Sequence, residues 1–311
     1  MSNRAKKQHY VPQLLLRGFS IPRKEQVWVF DKSKGTSYIS AIRDVASENY
    51  FNEVKIGDYS FSFEERLELV EAYAAPVIQQ IIVSEDISNL TPENVASLVV
   101  FIATQMVRTN AGRVAMNQAH ELLVEKLGGE ERAIRAGVPA KDTELQKLSI
   151  LYGLPETINY FGKYLSEKLF ILQKAGAQDR FLVGDDPIAR DNNFPKGNGQ
   201  GRLGIANSGV EIYLPLTPKL TLALICPTVL ELMEHARSSS SHFAAFEAER
   251  FIYALQSGKP FLLSYQNVRR LNFMQIANAT RFVMSDIDDF SLAKEMIKSR
   301  PEFGSTPRYV W

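Results

Sequence analysis

The sequence has little of what several classes of protein require. Its 311 residues include one cysteine and four histidines. The single cysteine, Cys226, excludes an internal disulfide and a cysteine-built zinc site within one chain, which favours a reducing setting. The longest nearly apolar run, residues 95–103, is about half of the roughly 20 residues that a membrane-spanning helix needs. The polar N-terminus predicts no signal peptide. We therefore expect a cytoplasmic protein without a membrane partner.

The charge of the chain is almost balanced. Lysine and arginine number 36 against 35 aspartate and glutamate, and hydrophobic residues make up 45% of the sequence. This composition is typical of a globular protein, and it excludes a broadly basic surface for non-specific nucleic-acid binding, which needs many cations on one face. The balanced charge does not exclude a small, local basic site. The function has to be sought in individual side chains.

Short strands are predicted in both halves of the sequence. Residues 26–30 and 36–40 are rich in aromatic and β-branched side chains and flank a turn that contains a glycine, which favours a β-hairpin. Residues 169–173 and 180–184 have a similar character and predict a second hairpin. Further strands are expected at residues 211–216, 220–226 and 281–285.

Helices are predicted to dominate residues 62–170. Ser62 and Glu65 have the spacing of a capping box, and Pro76 should kink or split the helix that follows. Thr91 should cap a second helix, whose apolar pattern continues as far as Leu127. Further helices are expected at residues 228–236, 244–255, 268–279 and 289–299.

This partial segregation of strands and helices predicts an α+β fold. We expect a helical middle region packed with a mixed or antiparallel sheet, built from the N-terminal hairpin and the C-terminal half. The chain is interpreted as a single domain, residues 1–311. Its sub-regions are an N-terminal arm and hairpin (1–60), a helical region (61–168) and an α+β region (169–311). Four glycines between residues 197 and 204 predict a loop.

Residues 6–19 read Lys-Lys-Gln-His-Tyr-Val-Pro-Gln-Leu-Leu-Leu-Arg-Gly-Phe. They resemble the His-Tyr-Val-Pro-Gln motif at the N-terminus of a bacterial family, domain of unknown function 4238. Further blocks follow in the order of that family, at 45–51, the helix with Glu64 and Glu71, 101–109, 181–188, 215–218 and 271–285. Asp186 departs from the pattern, because Gly-Asp-Asp-Pro stands where the family has Ser-Asp-Asn-Pro. The resemblance implies a shared fold and one site made by both halves, and it implies no reaction.

His9 and a row of carboxylates are the first candidates for chemistry. His9 is interpreted as a general base or a metal or phosphate ligand, or else as a hydrogen-bonded anchor of the N-terminus. Glu64, Glu68 and Glu71 are spaced so that they share one helix face. Such a cluster could hold Mg²⁺ or Mn²⁺, which take oxygen ligands, or could be a solvated acidic first turn. Glu71 is the best candidate for a metal ligand.

Gln105, Arg108 and Asp185 complete the candidate set. Arg108 projects from an otherwise apolar helix and needs a partner, either a substrate phosphate or a carboxylate such as Glu71. Asp185 ends an apolar strand, where a metal ligand, a general base or a simple turn is expected. Tyr10 and Asn272 lie in the first and last matching blocks and are assigned, with Arg108, to substrate binding.

The leading hypothesis from the sequence is a metal-dependent phosphodiester hydrolase, a nuclease effector of the bacterial defence or toxin type. His9, Gln105 and Asp185 would be catalytic, and Glu71 and Asp185 would hold Mg²⁺ or Mn²⁺. Its partner would be nucleic acid or a nucleotide. The defence setting follows from the resemblance, because members of that family are often stand-alone, patchily distributed proteins.

The alternative hypothesis is a non-enzymatic sensor or binding module that recognises a protein or a nucleotide. In this reading the same polar residues form a structural network that locks the N-terminal arm onto the helices. Under either hypothesis a protein partner or a second copy of the chain stays possible. The two hypotheses differ in geometry. An enzyme should have His9, Glu71, Arg108 and Asp185 around one open pocket, and a binding module should have them in a sealed core.

Overall fold

The computed structural model describes residues 7–138, 147–148, 151, 153–192 and 203–305, and it has the predicted α+β fold. Its strands are β1 (Lys7–His9), β2 (Gln26–Asp31), β3 (Thr36–Ala41), β4 (Ser47–Asn49), β5 (Glu53–Ile56), β6 (Tyr59–Ser62), β7 (Leu169–Lys174), β8 (Val183–Gly184), β9 (Ala189–Asn192), β10 (Val210–Pro215), β11 (Leu220–Ile225), β12 (Phe261–Leu262) and β13 (Phe282–Ser285). Its helices are α1 (Gln13–Gly18), α2 (Glu64–Ser84), α3 (Pro92–Arg108), α4 (Asn110–Lys126), α5 (Glu130–Arg135), α6 (Leu154–Ser166), α7 (Pro227–Arg237), α8 (His242–Ser257), α9 (Tyr265–Asn278) and α10 (Ser291–Ser299). Short 3₁₀ turns lie at Ile42–Asp44 and Pro301–Gly304. No helix in the described part of the chain has both the length and the hydropathy that a bilayer span requires.

A five-stranded sheet with the order β12-β7-β11-β10-β9 belongs to the C-terminal half. Strand β12 runs parallel to β7, and the other neighbours are antiparallel. Every residue of β10 and β11 is buried. Because both faces of these strands are covered, their sequences are continuous apolar runs rather than alternating patterns. The strands predicted at 211–216 and 220–226 are confirmed.

A four-stranded antiparallel sheet joins the two ends of the chain in the order β3-β2-β13-β8. Its β2–β3 hairpin is the first predicted hairpin, with Gly35 in the left-handed region at φ 67°. Trp28 of β2 is opposite Ser285 of β13. The N-terminal hairpin therefore completes a sheet with strands from the second half of the sequence. Two smaller antiparallel ribbons pair β1 with β4 and β5 with β6.

The predicted second hairpin, residues 169–173 with 180–184, is wrong. Strand β7 pairs with β11 and β12, whereas β8 pairs with β13 in the other sheet. The reason lies in Lys219, which follows β10 in sequence. Its ammonium donates hydrogen bonds to the carbonyl oxygens of Gly176, Ala177 and Asp179, at 3.0, 2.8 and 2.5 Å. These bonds stabilise a loop that carries the chain from one sheet to the other.

The predicted start of α2 is also wrong, and of the two effects expected of Pro76, a split does not occur and a kink stays a prediction. The helix begins at Glu64 after an N-cap Phe63 with no side-chain cap, so the Ser62–Glu65 capping box does not form. Pro76 lies inside the helix without splitting it. A proline removes the hydrogen bond to the carbonyl four residues earlier. Here that residue, Ala72, is exposed, so water can solvate its carbonyl oxygen.

Helix α3 begins as predicted and ends earlier than its apolar pattern suggests. The side chain of Thr91 accepts a hydrogen bond from the backbone N–H of Asn94. In turn, the side-chain oxygen of Asn94 accepts one from the backbone N–H of Thr91, which completes a capping box. The apolar pattern continues to Leu127, but the helix is interrupted at Thr109, whose backbone is extended at φ −72° and ψ 163°. This break separates α3 from α4 and places Arg108 and Thr109 at a corner.

The largest cluster of buried apolar side chains draws on all three sub-regions, with members such as Leu16, Phe101 and Leu222. A smaller cluster, which includes Phe30 and Phe290, lies under the four-stranded sheet. Helix α8 packs on β7, and α9 packs on β8 and β9. The glycine-rich segment that predicts a loop lies mostly outside the described residues.

The close approach of α1 to the end of β10 makes Gly18 a testable position. A Cβ atom built on Gly18 would lie 2.0 Å from the carbonyl oxygen of Leu216. We expect Gly18→Ala to lower the free energy of unfolding by about 1–3 kcal/mol, because backbone atoms must move apart. Urea denaturation followed by circular dichroism measures this change.

Gly162→Ala is the matched control. The new Cβ atom would meet only Val99 Cγ1, at 3.7 Å, inside α6. Alanine has a higher helix propensity than glycine, so this variant should be neutral or up to about 1 kcal/mol more stable. Equal stability of the Gly18→Ala variant and the wild type would contradict the packing described here.

Candidate functional site

Arg108 lies at the end of α3 with only 2% of its side chain exposed. Its Nη1 lies 2.7 Å from Oε1 of Glu71 on α2. Its Nη2 and Nε donate hydrogen bonds to the carbonyl oxygens of His9 and Tyr10, at 3.2 and 3.5 Å. We call this arrangement the Arg108 clamp, and residues 7–12 the N-terminal arm. Of the two partners considered for Arg108, the structure shows the carboxylate, and the clamp ties α2, α3 and the arm together.

The ring of His9 is held on both sides. Its Nε2 lies 3.3 Å from the carbonyl oxygen of Ile42, and its Nδ1 lies 3.5 Å from Nε2 of Gln13. Because a carbonyl oxygen only accepts, His9 Nε2 carries the proton and Nδ1 accepts, as in neutral imidazole. Burial lowers the pKa of His9, and the charge of Arg108 adds to this effect, while the bond to Ile42 opposes it. These contacts are those of an anchor.

Further contacts bury the arm. The ring of Tyr10, 4% exposed, lies 5.0 Å from the ring of Phe51, and burial raises the pKa of its hydroxyl. Gln8 Oε1 accepts a hydrogen bond from the backbone of Asn52 at 2.6 Å, and Asn52 Nδ2 donates to Glu64 at 2.7 Å. Sequence reasoning missed Gln8 and Asn52. The available signal was their position within, and directly after, two of the matching blocks.

Gln105 differs from its neighbours in the site. It lies one helical turn before Arg108 and is fully buried, yet neither atom of its amide has a hydrogen-bond partner among the described residues. Asn52 Oδ1 and Ser47 Oγ also lack a partner, and Arg108 Nη1 has its ion pair with Glu71 but no hydrogen bond. A buried polar group without a partner costs about 1–3 kcal/mol. These groups are therefore the part of the site that a structural network does not account for.

Asp185 is fully buried and saturated with hydrogen bonds. Its Oδ1 accepts from the backbone of Thr280 at 2.6 Å, and its Oδ2 accepts from Thr280 Oγ1 at 2.8 Å. The backbone amides of Arg281 and Phe282 also donate to Oδ2, at 2.9 and 3.0 Å. Burial raises the pKa of Asp185, and these bonds act in the opposite direction because they favour the charged form. We call this group the Asp185 cluster; it stabilises the turn between α9 and β13.

The adjacent Asp186 connects the Asp185 cluster to the Arg108 clamp. Its Oδ1 accepts a hydrogen bond from Oγ1 of Thr109, at 3.1 Å, at the corner between α3 and α4. Burial raises the pKa of Asp186 to about 7; the charge of Asp185 contributes to the rise, and Arg190 opposes it. The two pairs of neighbours, Arg108–Thr109 and Asp185–Asp186, thus join both halves of the chain.

Asn272 and Gln275 on α9 bind the chain segment on either side of β8. Asn272 Oδ1 accepts from the backbone of Leu182, and its Nδ2 donates to the carbonyl oxygen of Arg180, both at 2.8 Å. Gln275 accepts from the backbone of Gly184 at 2.8 Å and donates to the carbonyl oxygen of Pro187 at 2.9 Å. The predicted role of Asn272 in substrate binding stays a prediction. Its observed contacts are those of a backbone support.

The turn of the β2–β3 hairpin is held by buried charges that sequence reasoning missed. Lys32 donates to the carbonyl oxygens of Ile276 and Ala279, at 2.7 and 2.6 Å, and burial lowers the pKa of Lys32 to about 8. Asp31 binds the guanidinium of Arg281 at 2.8 Å. Burial acts to raise the pKa of Asp31, but the hydrogen bonds from Arg281 and Ser33 outweigh it, so the pKa lies below its ordinary value.

The structure therefore brings His9, Tyr10, Glu71 and Arg108 together and connects them to Asp185. Four cavities along the described residues are lined by side chains other than His9, Glu71, Arg108 and Asp185. Within those residues, no group of three or more His, Cys, Asp or Glu side chains is arranged to hold a metal ion. Binding of Mg²⁺ or Mn²⁺ by Glu71 and Asp185 stays a prediction.

A comparison against known families confirms the family that the sequence resembles. A family model described as Protein of unknown function (DUF4238) matches residues 7–289. The chain belongs to the DUF4238 family. The match includes the N-terminal arm, the Arg108 clamp and the Asp185 cluster, so the site described above lies wholly within the DUF4238 region. No curated protein and no solved structure matches the chain.

The Asp185 cluster predicts a large effect of a nearly isosteric change. In Asp185→Asn, an NH₂ donor would face backbone N–H donors, and buried groups would lose their acceptor. We expect the free energy of unfolding to fall by about 3 kcal/mol. Urea denaturation measures it. The control is Asp288→Asn at an exposed position, which should stay within about 0.5 kcal/mol of the wild type. Similar values for both variants would refute the cluster.

Asp186 predicts a pH dependence of stability. Its pKa is about 7 in the folded protein against an ordinary value of 3.8, so the folded protein binds this proton more tightly than the unfolded chain does. The contribution of Asp186 to stability therefore falls as the pH rises through that interval. We expect Asp186→Asn to gain stability relative to the wild type between pH 5 and pH 8. Thermal melts across this range test it, and a constant difference would contradict the raised pKa.

Proposed function

We propose that the protein is a non-enzymatic binding module that recognises another protein. In this proposal the motif residues keep the N-terminal arm docked on the helices. The Arg108 clamp is the observation that carries it. A buried guanidinium forms an ion pair with Glu71, with Nη1 and Oε1 2.7 Å apart, and donates hydrogen bonds to two carbonyl oxygens of the arm at 3.2 and 3.5 Å. A residue used in this way supports a conformation of the arm and the two helices.

The Asp185 cluster supports the same proposal. The carboxylate is fully buried and accepts four hydrogen bonds from Thr280, Arg281 and Phe282. A metal ion or substrate at Asp185 would have to displace backbone donors, each of which would then be buried without a partner. His9, in turn, is occupied on both ring nitrogens.

Exposed aromatic side chains favour a protein as the partner. Phe243, Phe246 and Tyr253 of α8 are 76%, 59% and 65% exposed, and their spacing places them on one side of the helix. Aromatic side chains are enriched at protein interfaces, and contiguous exposed apolar surface marks interaction sites. The proposal includes a cytoplasmic location, because Cys226, the single cysteine, fits a reducing compartment.

A metal-dependent nuclease of the defence or toxin type is the second candidate function. Asp186 favours it, because a carboxyl group with a pKa near 7 suits proton transfer at neutral pH. The unpartnered amide of Gln105, fully buried beside Arg108, also suits a role in binding. This function requires Glu71 and Asp185 to exchange their present partners for Mg²⁺ or Mn²⁺.

Arg108→Met tests whether the Arg108 clamp keeps the N-terminal arm docked. The variant leaves two arm carbonyls and Glu71 without their donor, so we expect a loss of about 2–3 kcal/mol in unfolding free energy. Backbone amides of residues 8–11 should exchange faster with deuterium. His9→Ala should also lower the melting temperature. Arg135→Met, at a side chain that is 79% exposed, is the matched control and should behave as wild type.

The same experiment includes a cleavage assay. We expect wild-type protein to cleave neither DNA nor RNA in Mg²⁺ or Mn²⁺. Metal-dependent cleavage that disappears in Glu71→Ala and Asp185→Ala, at a temperature where both variants remain folded, would establish the nuclease and refute the binding module. Wild-type melting of both Arg108→Met and His9→Ala would also count against the module.

A further inference from the structure

Strand β3 is an edge of the four-stranded sheet. Among the described residues it pairs with β2 on one side and with no strand on the other. Alternate residues of a strand direct their N–H and C=O groups to opposite sides. About half of the backbone groups of β3 therefore point away from the sheet. Such groups can pair with another extended segment.

Strand β3 lacks the features that usually protect an edge. Its sequence is Thr-Ser-Tyr-Ile-Ser-Ala, without a charge or a proline. Its register with β2 runs without interruption from Gln26 opposite Ala41 to Asp31 opposite Thr36. Native sheets protect their edges with lysine, proline or bulges, and an exposed edge without them favours added strands. Tyr38 and Ile39 at its centre are 41% and 44% exposed.

The protein holds this edge in place. Lys32, in the turn that leads to β3, donates to two carbonyl oxygens at the end of α9, at 2.7 and 2.6 Å. Arg281 binds Asp31 at the end of β2. A partner strand would therefore meet a preformed template. Only the partner would lose conformational entropy on binding, which favours affinity.

Positive charge lies at both ends of β3. Lys34 precedes the strand, is exposed and makes no ion pair with a described residue. Arg43 follows it with 82% of its side chain exposed, 3.7 Å from Asp44, which also pairs with Lys7. Eight uncharged residues lie between the two cations, and the six of them that form β3 span roughly 20 Å at 3.3 Å per residue. This pattern is complementary to a segment with acidic residues at both ends.

A second copy of the chain fits this edge less well. Antiparallel pairing of two β3 strands about their centre, with Tyr38 opposite Ile39, would place Lys34 of one copy near Arg43 of the other. Like charges directly opposite each other destabilise a strand pair. The charge pattern therefore favours a different chain with acidic ends over self-association.

We propose that β3 binds an extended peptide segment of a partner protein by strand addition, and that this segment has acidic residues flanking an uncharged core of about six residues. Backbone hydrogen bonds would supply much of the affinity, and the flanking charges would set the preference. This inference rests on the proposed function and names the surface and the class of partner.

The probe is a ten-residue fluorescent peptide with two acidic residues at each end and an alternating threonine–valine core. We expect saturable binding to the wild-type chain in fluorescence anisotropy. The double charge reversal Lys34→Glu/Arg43→Glu should weaken binding about tenfold. Lys126→Glu/Arg135→Glu, at exposed positions far from β3 in sequence, is the matched control and should bind within about twofold of wild type.

Peptides methylated on alternate backbone nitrogens test the mode of binding. Strand addition uses every second N–H of the peptide, so one methylation set should abolish binding and the other should leave it nearly unchanged. Equal effects of both sets, equal binding of a peptide with lysine ends, or no binding up to about 1 mM would overturn the proposal. Dimers by sedimentation that the peptide does not dissociate would also overturn it, in favour of a second copy.

These outcomes are independent of the test of the proposed function. Metal-dependent nuclease activity together with peptide binding would refute the non-enzymatic role and leave the β3 site standing. Absence of both activities would refute the β3 site alone. Melting temperatures of the two double variants, which should match the wild type, show that loss of binding does not reflect unfolding.

Discussion

The buried carboxylate of Asp185 connects the end of β8 to the turn between α9 and β13. A charge in the interior is unfavourable unless hydrogen bonds surround it, and here the donors come from the turn between α9 and β13. Because β13 lies between β8 and β2, fixing this turn also fixes the sheet that the N-terminal hairpin completes. Asp186 then connects the same point to the corner after α3. The helical region and both ends of the chain thus depend on one polar centre.

Local patterns predicted most of the elements and failed where distant contacts decide. The cap at Thr91, the β2–β3 hairpin and the buried strands β10 and β11 follow from neighbouring residues alone. The false hairpin at 169–184 has equally good strand sequences. Its two strands separate because Lys219, forty residues on, holds the carbonyl oxygens of the loop between them. The spacing of apolar residues within residues 169–184 cannot predict a contact with a lysine so far along the chain. The prediction of a capping box at Ser62 was wrong for a similar reason. Ser62 and Glu65 have the required spacing, but the helix starts after Phe63 and has no side-chain cap.

The candidate site was predictable in its members and not in their roles. Arg108 in an apolar helix requires a partner, but a carboxylate and a phosphate satisfy that need equally well in a sequence. The structure supplies Glu71 and the arm carbonyls. Asp185 has the same ambiguity. A carboxylate at the end of a strand can bind a metal ion or accept backbone hydrogen bonds, and the sequence alone does not distinguish the two roles. Gln105 remains the residue whose burial has no structural account.

The pairing of Asp31 with Arg281 has a consequence for how the chain acquires its structure. These residues are 250 positions apart, and Lys32 contacts Ala279 across 247. Contacts of such sequence separation form slowly, because a long loop must close before they stabilise anything. During synthesis the N-terminal hairpin emerges first and has to wait for nearly the whole chain before its sheet can be completed. Until then β2 has an unpaired edge, which β13 covers only when nearly the whole chain has been made.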